Sequence, residues 1–283
     1  MKGIKMTELK AIQQLETPHT TSSLMDDFQR MGIEKGMTLI VHSSLSSLGW
    51  VCGGAVAVVT ALMEAVGKEG TLIMPSQSAD NSDPAEWQQP PVPEAWWPTI
   101  RDEMPAYDPD TTPARGMGVI ADTFRSFPGV KRSSHPMYSF TAWGKHADYI
   151  LSEQPLEEGF GPRSPLAKIY ELDGDILLMG VTHDSNTSLH FAEHSIPQRE
   201  KVQKGTAMKE NGNRVWKTYE EILYDSDPFE KLGKEFEKQQ PVKSAVIGNA
   251  TCTLMKQRAA VDFAIYWLQQ NQSNSYLTIE RDE

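Results

Sequence analysis

The segment Thr38-Leu39-Ile40-Val41-His42, followed by Gly53-Gly54, the apolar stretch Ala55 to Val66 and then Gly70-Thr71-Leu72-Ile73-Met74-Pro75, constrains the fold more than any other part of this chain. Each outer run is short and apolar, the length of a strand buried on both faces, and the segment between them carries apolar residues at helical spacing. A strand, helix and strand joined by short links is most simply a crossover between neighbouring parallel strands. A third apolar run, Ile176 to Val181, ends in the polar turn Thr182 to Asn186. These segments predict an α/β fold: a single domain over residues 1–283 with a mixed, largely parallel central sheet flanked by helices.

Elsewhere the pattern predicts a helix over Ser23–Met31 capped by Thr21 or Ser22, a helix over Gly116–Phe127, and a strand following Pro136. Short helices are expected over His146–Gln154 and Ser164–Tyr170. After Pro197 come a hairpin turning at Asn211-Gly212, an acidic helix and a closing helix over Ala259–Gln269. The last dozen residues are polar and read as a frayed end. Residues 77–113 break the alternation with prolines and three tryptophans, Trp87, Trp96 and Trp97, and are expected to form an ordered insert whose aromatic planes reach a ligand.

The formal charge of −11 disfavours a nucleic acid or an anionic membrane as partner and suits a cationic small molecule. No apolar run approaches the roughly 18 residues of a membrane span, and the first residues lack the apolar core of a secretory signal, so a cytoplasmic location is expected. Cys52 and Cys252 stand far apart without metal-ligand spacing; both are expected to be buried and unpaired.

Chemistry concentrates after the Ile176 run. Asn186 or Thr187 is placed to cap a helix in which His190 and Glu193, spaced i and i+3, share a face. The positive end of that helix would keep the imidazole neutral and able to accept a proton, with Glu193 orienting it. The same residues, His190-Phe191-Ala192-Glu193-His194, also spell the H-x-x-E-H of a zinc hydrolase, which would need a third ligand such as Glu200, Glu220 or Glu221. On the anion side, His42, Ser43, Ser44, Leu45 and Ser46 follow a strand and precede a helix, a usual place for phosphate. Arg115-Gly116-Met117-Gly118 offers a second anion site, and Arg132 with His135 a third.

Taken in order, Val41-His42-Ser43-Ser44-Leu45, Gly70 to Ser76, Arg115 to Gly118, Arg132 to Pro136, Ser164-Pro165, Leu178 to Gly180 with Asn186 to Glu193, and Ile247 to Ala250 resemble the aminoglycoside 3-N-acetyltransferase, or antibiotic N-acetyltransferase, family. The resemblance implies a fold distinct from the common acetyltransferase fold, acetyl-coenzyme A as donor, no metal, and acetylation of the 3-amino group on a 2-deoxystreptamine ring. A homodimer is left open. It maps the family's catalytic histidine onto His190 and its acidic positions onto Glu193 and Glu221, with Glu220 as the neighbouring choice. Substrate contacts are expected from Asp184, Asn186, Glu220 and His135. Two other readings stay open beside it: the same fold acting on a different amine, and a binding protein that has lost turnover.

Overall fold

The computed structural model describes residues 2–13 and 15–279. In chain order the elements are α1 (Lys2–Gln13), α2 (Thr21–Met31), β1 (Thr38–Ser43), α3 (Gly54–Val66), β2 (Thr71–Pro75), α4 (Trp97–Glu103), α5 (Gly118–Arg125), β3 (Lys131–Arg132) and β4 (Phe140–Gly144). There follow α6 (Ala147–Ile150), α7 (Pro165–Glu171), β5 (Asp175–Met179), α8 (Leu189–Glu193), β6 (Lys201–Glu210), β7 (Asn213–Ile222), α9 (Phe229–Gln239), β8 (Lys243–Ile247), β9 (Ala250–Lys256) and α10 (Gln257–Ile279). Seven strands form one sheet in the order β3-β4-β2-β1-β5-β9-β8, and β6 with β7 forms a separate ribbon.

The expected crossover is present: β1 pairs parallel with β2 on one side and with β5 on the other. The mixed sheet is less parallel than the sequence suggests, because β4, β3, β9 and β8 all join antiparallel. The β8–β9 hairpin escapes the sequence reading: Lys243 to Val246 are largely exposed at the sheet edge, so they carry no apolar run. Strands β1, β2 and β5 are buried almost throughout and apolar at their centres because both faces are covered. Leu39, Val41, Leu72, Met74, Leu177 and Met179 point toward α2, α3 and α5. Ile40, Ile73, Ile176 and Leu178 point toward α7, α8, α9 and α10.

Local signals explain several boundaries. Helix α2 is capped by Thr20, not by Thr21 or Ser22: its hydroxyl accepts from Ser23 N while the Ser23 hydroxyl accepts from Thr20 N, and Gly32 closes the helix at φ 91°. The β6–β7 turn is the two-residue Asn211-Gly212, with φ of 52° and 80°, the turn whose twist suits a hairpin. Helix α10 runs well past Gln269; residues 280–283, part of the expected frayed end, lie outside the described residues.

Residues 77–113 are ordered, as expected, but they brace the β6–β7 ribbon. Asn81 exchanges hydrogen bonds with Thr206 and donates to the Ala207 carbonyl, Tyr107 N donates to the same carbonyl, and Arg214 donates to the carbonyls of Arg101 and Met104. Cys252 is buried, whereas Cys52 is exposed, contrary to expectation, because it sits in the open turn ahead of α3. Among the described residues no helix is long and apolar enough to cross a membrane.

Candidate active site

A cleft of about 850 Å³ opens at the carboxyl ends of β1 and β5. Its walls are His42 to Ser46, Gly54 at the start of α3, Gly116 to Val119 at the start of α5, and Asp184, Ser185, Thr187 and His190 after β5, with Glu8 and Ala11 of α1 at the rim. The sequence stitches two of these walls together. Ser44 N donates to the Met179 carbonyl at 3.0 Å, and the Ser47 hydroxyl donates to the Gly180 carbonyl at 2.9 Å. Gly180 adopts φ 69°, and a Cβ on it would lie 2.5 Å from that of Ser47, so the close approach requires glycine.

Among the described residues no lysine or arginine lines the cleft. What the cleft offers an anion is backbone: the amino ends of α3 and α5 both open into it, each presenting free N–H groups and the positive end of a helix dipole.

His190 is another of the lining residues. Its Nδ1 lies 2.6 Å from Glu193 Oε2, and Glu193 is 1 % exposed. The other carboxylate oxygen accepts from the Arg199 guanidinium and from Asp225 N at 3.0 Å. Three aromatic rings fix the imidazole plane: Phe160 stacks on it with centroids 5.0 Å apart and 10° between planes, while Tyr224 and Phe229 meet it at 5.2 and 4.7 Å. With Nδ1 committed to the carboxylate, Nε2 is bonded to no described residue. Such an arrangement can act as a base and its orienter: a carboxylate on Nδ1 favours the tautomer whose Nε2 lone pair is free and would stabilise an imidazolium.

The helix carrying the pair is only five residues long, and neither Asn186 nor Thr187 caps it. A single turn has little macrodipole, so the buried Glu193 carboxylate, not the helix end, governs the imidazole. His42, Ser43 to Ser46, Gly116 to Gly118 and Asp184 all line the cleft. Arg115 does not: its guanidinium turns outward and grips Asp80 at 2.6 Å with both side chains exposed. Asn186 is wholly buried behind the wall, its amide facing His183 Nδ1. His135 is 1 % exposed, and its Nδ1 accepts from Met137 N and Tyr138 N, which leaves it a structural residue. Glu220 is exposed on β7, outside the cleft lining.

Glu221 is buried one layer behind His190. Its Oε1 accepts from Gly159 N at 2.8 Å and from the Tyr224 hydroxyl at 2.9 Å, and burial pushes the carboxyl up to about 7. It does not touch the imidazole; it locks the loop that carries Phe160 and the Tyr224 ring against it. The two histidines of the zinc reading point to different partners, His190 to Glu193 and His194 Nε2 to the Tyr224 hydroxyl at 2.9 Å. Among the described residues no three His, Cys, Asp or Glu side chains converge in a metal-binding arrangement. The aromatic insert contributes only Gln77 to the cleft lining, and none of its tryptophans. Arg199, Phe160, Tyr224 and Phe229 surround the His190–Glu193 pair and were not singled out by the sequence. They lie in irregular segments or at element ends, with no spacing that ties them to His190.

Residues 40–269 match the family model described as aminoglycoside 3-N-acetyltransferase. The chain is 48 % identical to the SPbeta prophage-derived aminoglycoside N(3')-acetyltransferase-like protein YokD of Bacillus subtilis, over 94 % of this chain and 98 % of that one. The crystal structure of YokD superposes with a TM-score of 0.92, covering 93 % of this chain and 98 % of that one. Aminoglycoside N(3)-acetyltransferase III of Pseudomonas aeruginosa is 33 % identical, covering 92 % of this chain and 97 % of the relative. A solved structure of AAC-IIIb in binary complex with CoASH, 29 % identical, superposes with a TM-score of 0.80 over 90 % of this chain and 98 % of that one.

Proposed function

Since this chain belongs to the aminoglycoside 3-N-acetyltransferase family and is therefore an acyltransferase, we propose that it moves the acetyl group of acetyl-coenzyme A to the 3-amino group of an aminoglycoside, with His190 as general base. The observation that carries this reading is the His190–Glu193 pair, a histidine with one nitrogen fixed by a buried carboxylate and the other free, on the wall of the cleft.

An ammonium has no lone pair, so the incoming amine must lose a proton before it can attack a carbonyl carbon. His190 Nε2 takes that proton, and Glu193, itself held by Arg199, stabilises the resulting imidazolium. Acetyl-coenzyme A supplies the acyl thioester, whose C–S bond breaks as the new C–N bond forms and whose thiolate leaves with one proton. The cleft fits this donor: the amino ends of α3 and α5 with the Ser43–Ser46 turn supply N–H groups and hydroxyls for its phosphates and pantetheine amides. On the acceptor side Asp184 and Glu8 offer negative charge to a polycationic sugar.

The test is His190→Ala, assayed by thiol release from acetyl-coenzyme A with a panel of aminoglycosides. Turnover is expected to fall by roughly 10²–10⁴ while calorimetric affinity for coenzyme A stays within about threefold. Full activity in this variant would remove His190 as the base.

A further inference from the structure

His42 sits at the carboxyl end of β1, where its strand partner is Leu178 of β5. Alternation along the strand puts it on the same face as Ile40, the face packed by Leu189 and Ala192 of α8, and so on the same side of the sheet as His190. The residue is one of those that line the cleft, and it is 6 % exposed. Neither ring nitrogen is hydrogen-bonded to a described residue, and Nε2 is sealed from solvent without a partner.

That arrangement has a cost. Leu39, Ile40 and Val41 precede it on the buried part of the strand, and an aliphatic residue would fill the position without stranding a polar atom. The other two buried histidines are accounted for: His135 accepts two backbone N–H groups and His183 Nε2 meets Glu237 at 3.1 Å. Among the buried histidines of the described residues, His42 is the one whose ring nitrogens have no partner. Resting on the acyl-transfer reading above, we infer that His42 donates a hydrogen bond to the thioester carbonyl oxygen of the acyl donor and stabilises the negative charge that develops there, in the cleft that His190 also lines.

An orphan buried N–H is rarer than an orphan acceptor, which puts the ring proton on Nδ1 and leaves Nε2 as the silent lone pair. Burial lowers the imidazole to about 3, so the ring stays a neutral single donor wherever the enzyme is folded. A fixed N–H aimed at a developing oxyanion in a site shielded from water is worth far more in the transition state than in the ground state.

The experiment compares His42→Phe, which keeps the ring volume and removes the donor, with His42→Gln, which restores one. Against acetyl-coenzyme A and an accepted aminoglycoside, kcat should fall roughly 10²–10³-fold in His42→Phe with KM for the donor nearly unchanged, and recover in part in His42→Gln. The second readout is binding. S-acetonyl-coenzyme A carries a carbonyl near the reacting position and S-ethyl-coenzyme A does not; wild type should favour the first by about tenfold, and His42→Phe should erase that preference. Equal weakening of both analogues, or unchanged kcat, overturns the assignment. If His42→Phe fails to fold, the wild-type His42 Nδ1–H resonance decides: it should move downfield with the acetonyl analogue and not with the ethyl one. Should no aminoglycoside provoke thiol release from the wild type, the acyl-transfer reading fails, while the analogue preference still judges His42 separately.

Discussion

Replacing Glu193 by Gln keeps the shape of the side chain and removes its charge, and the structure works out what must follow. Glu193 faces donors on both sides: His190 Nδ1 at 2.6 Å on Oε2, and Arg199 with Asp225 N on Oε1. Glutamine has one acceptor and one donor end. If its oxygen stays with Arg199 and Asp225 N, its NH₂ points at Nδ1, the ring proton is driven to Nε2, and the base has nothing left to accept with. If its oxygen turns to the imidazole instead, the NH₂ meets the Arg199 guanidinium, a repulsion buried at a position 1 % exposed. The first orientation keeps two of the three hydrogen bonds and should prevail. By analogy with the carboxylate-to-amide change in a serine protease triad, where the wrong tautomer costs about 10⁴ in kcat, a fall of roughly 10²–10⁴ is expected, or about 3–5.5 kcal/mol of barrier. Steady-state thiol release across pH 6–9 measures it, with circular dichroism to confirm folding and with coenzyme A affinity expected to be unchanged. Turnover within about threefold of wild type, in a folded variant, would falsify the claim that Glu193 sets the tautomer of His190.

Other consequences can be measured with the same material. Gly233→Ala in α9 should destabilise the protein by about 1–3 kcal/mol in urea unfolding, although alanine normally favours a helix, because its Cβ would overlap the His183 ring. Burial holds His42 near 3 and His135 and His194 near 4, so the unfolded chain takes up protons below about 6.5 that the folded chain refuses; stability is lost as pH falls through that window. Glu221, raised to about 7, acts in the opposite sense between about 4.5 and 7, leaving a net loss of at most about 2.7 kcal/mol per pH unit near pH 5.5, and an urea midpoint that does not drop from pH 6.5 to 5 would contradict it. Arg115→Ala should change KM for acetyl-coenzyme A by less than about threefold, since the guanidinium is bound to Asp80 outside the cleft; a tenfold rise would show that it swings inward to the phosphates.

What could be read from the chain alone was whatever depends on local spacing. The apolar runs of β1, β2 and β5 announced a centre buried on both faces, Asn211-Gly212 announced its hairpin, and the i, i+3 pairing of His190 with Glu193 put a base beside its carboxylate before any fold was known. Such features are set by backbone periodicity and turn chemistry, which act over a few residues. Tertiary structure decided the rest. Arg199, Phe160, Tyr224 and Phe229 surround His190 from distant segments, and no periodicity links them to it. Arg115 and His135 look like ligand contacts in sequence, yet one is captured by Asp80 and the other by two backbone N–H groups. Glu220 and Glu221 are indistinguishable as letters; strand alternation sends one to solvent and the other into the buried layer behind His190. A side chain's partners are settled by which segments the sheet brings together, and that competition for hydrogen bonds is won only in the folded protein.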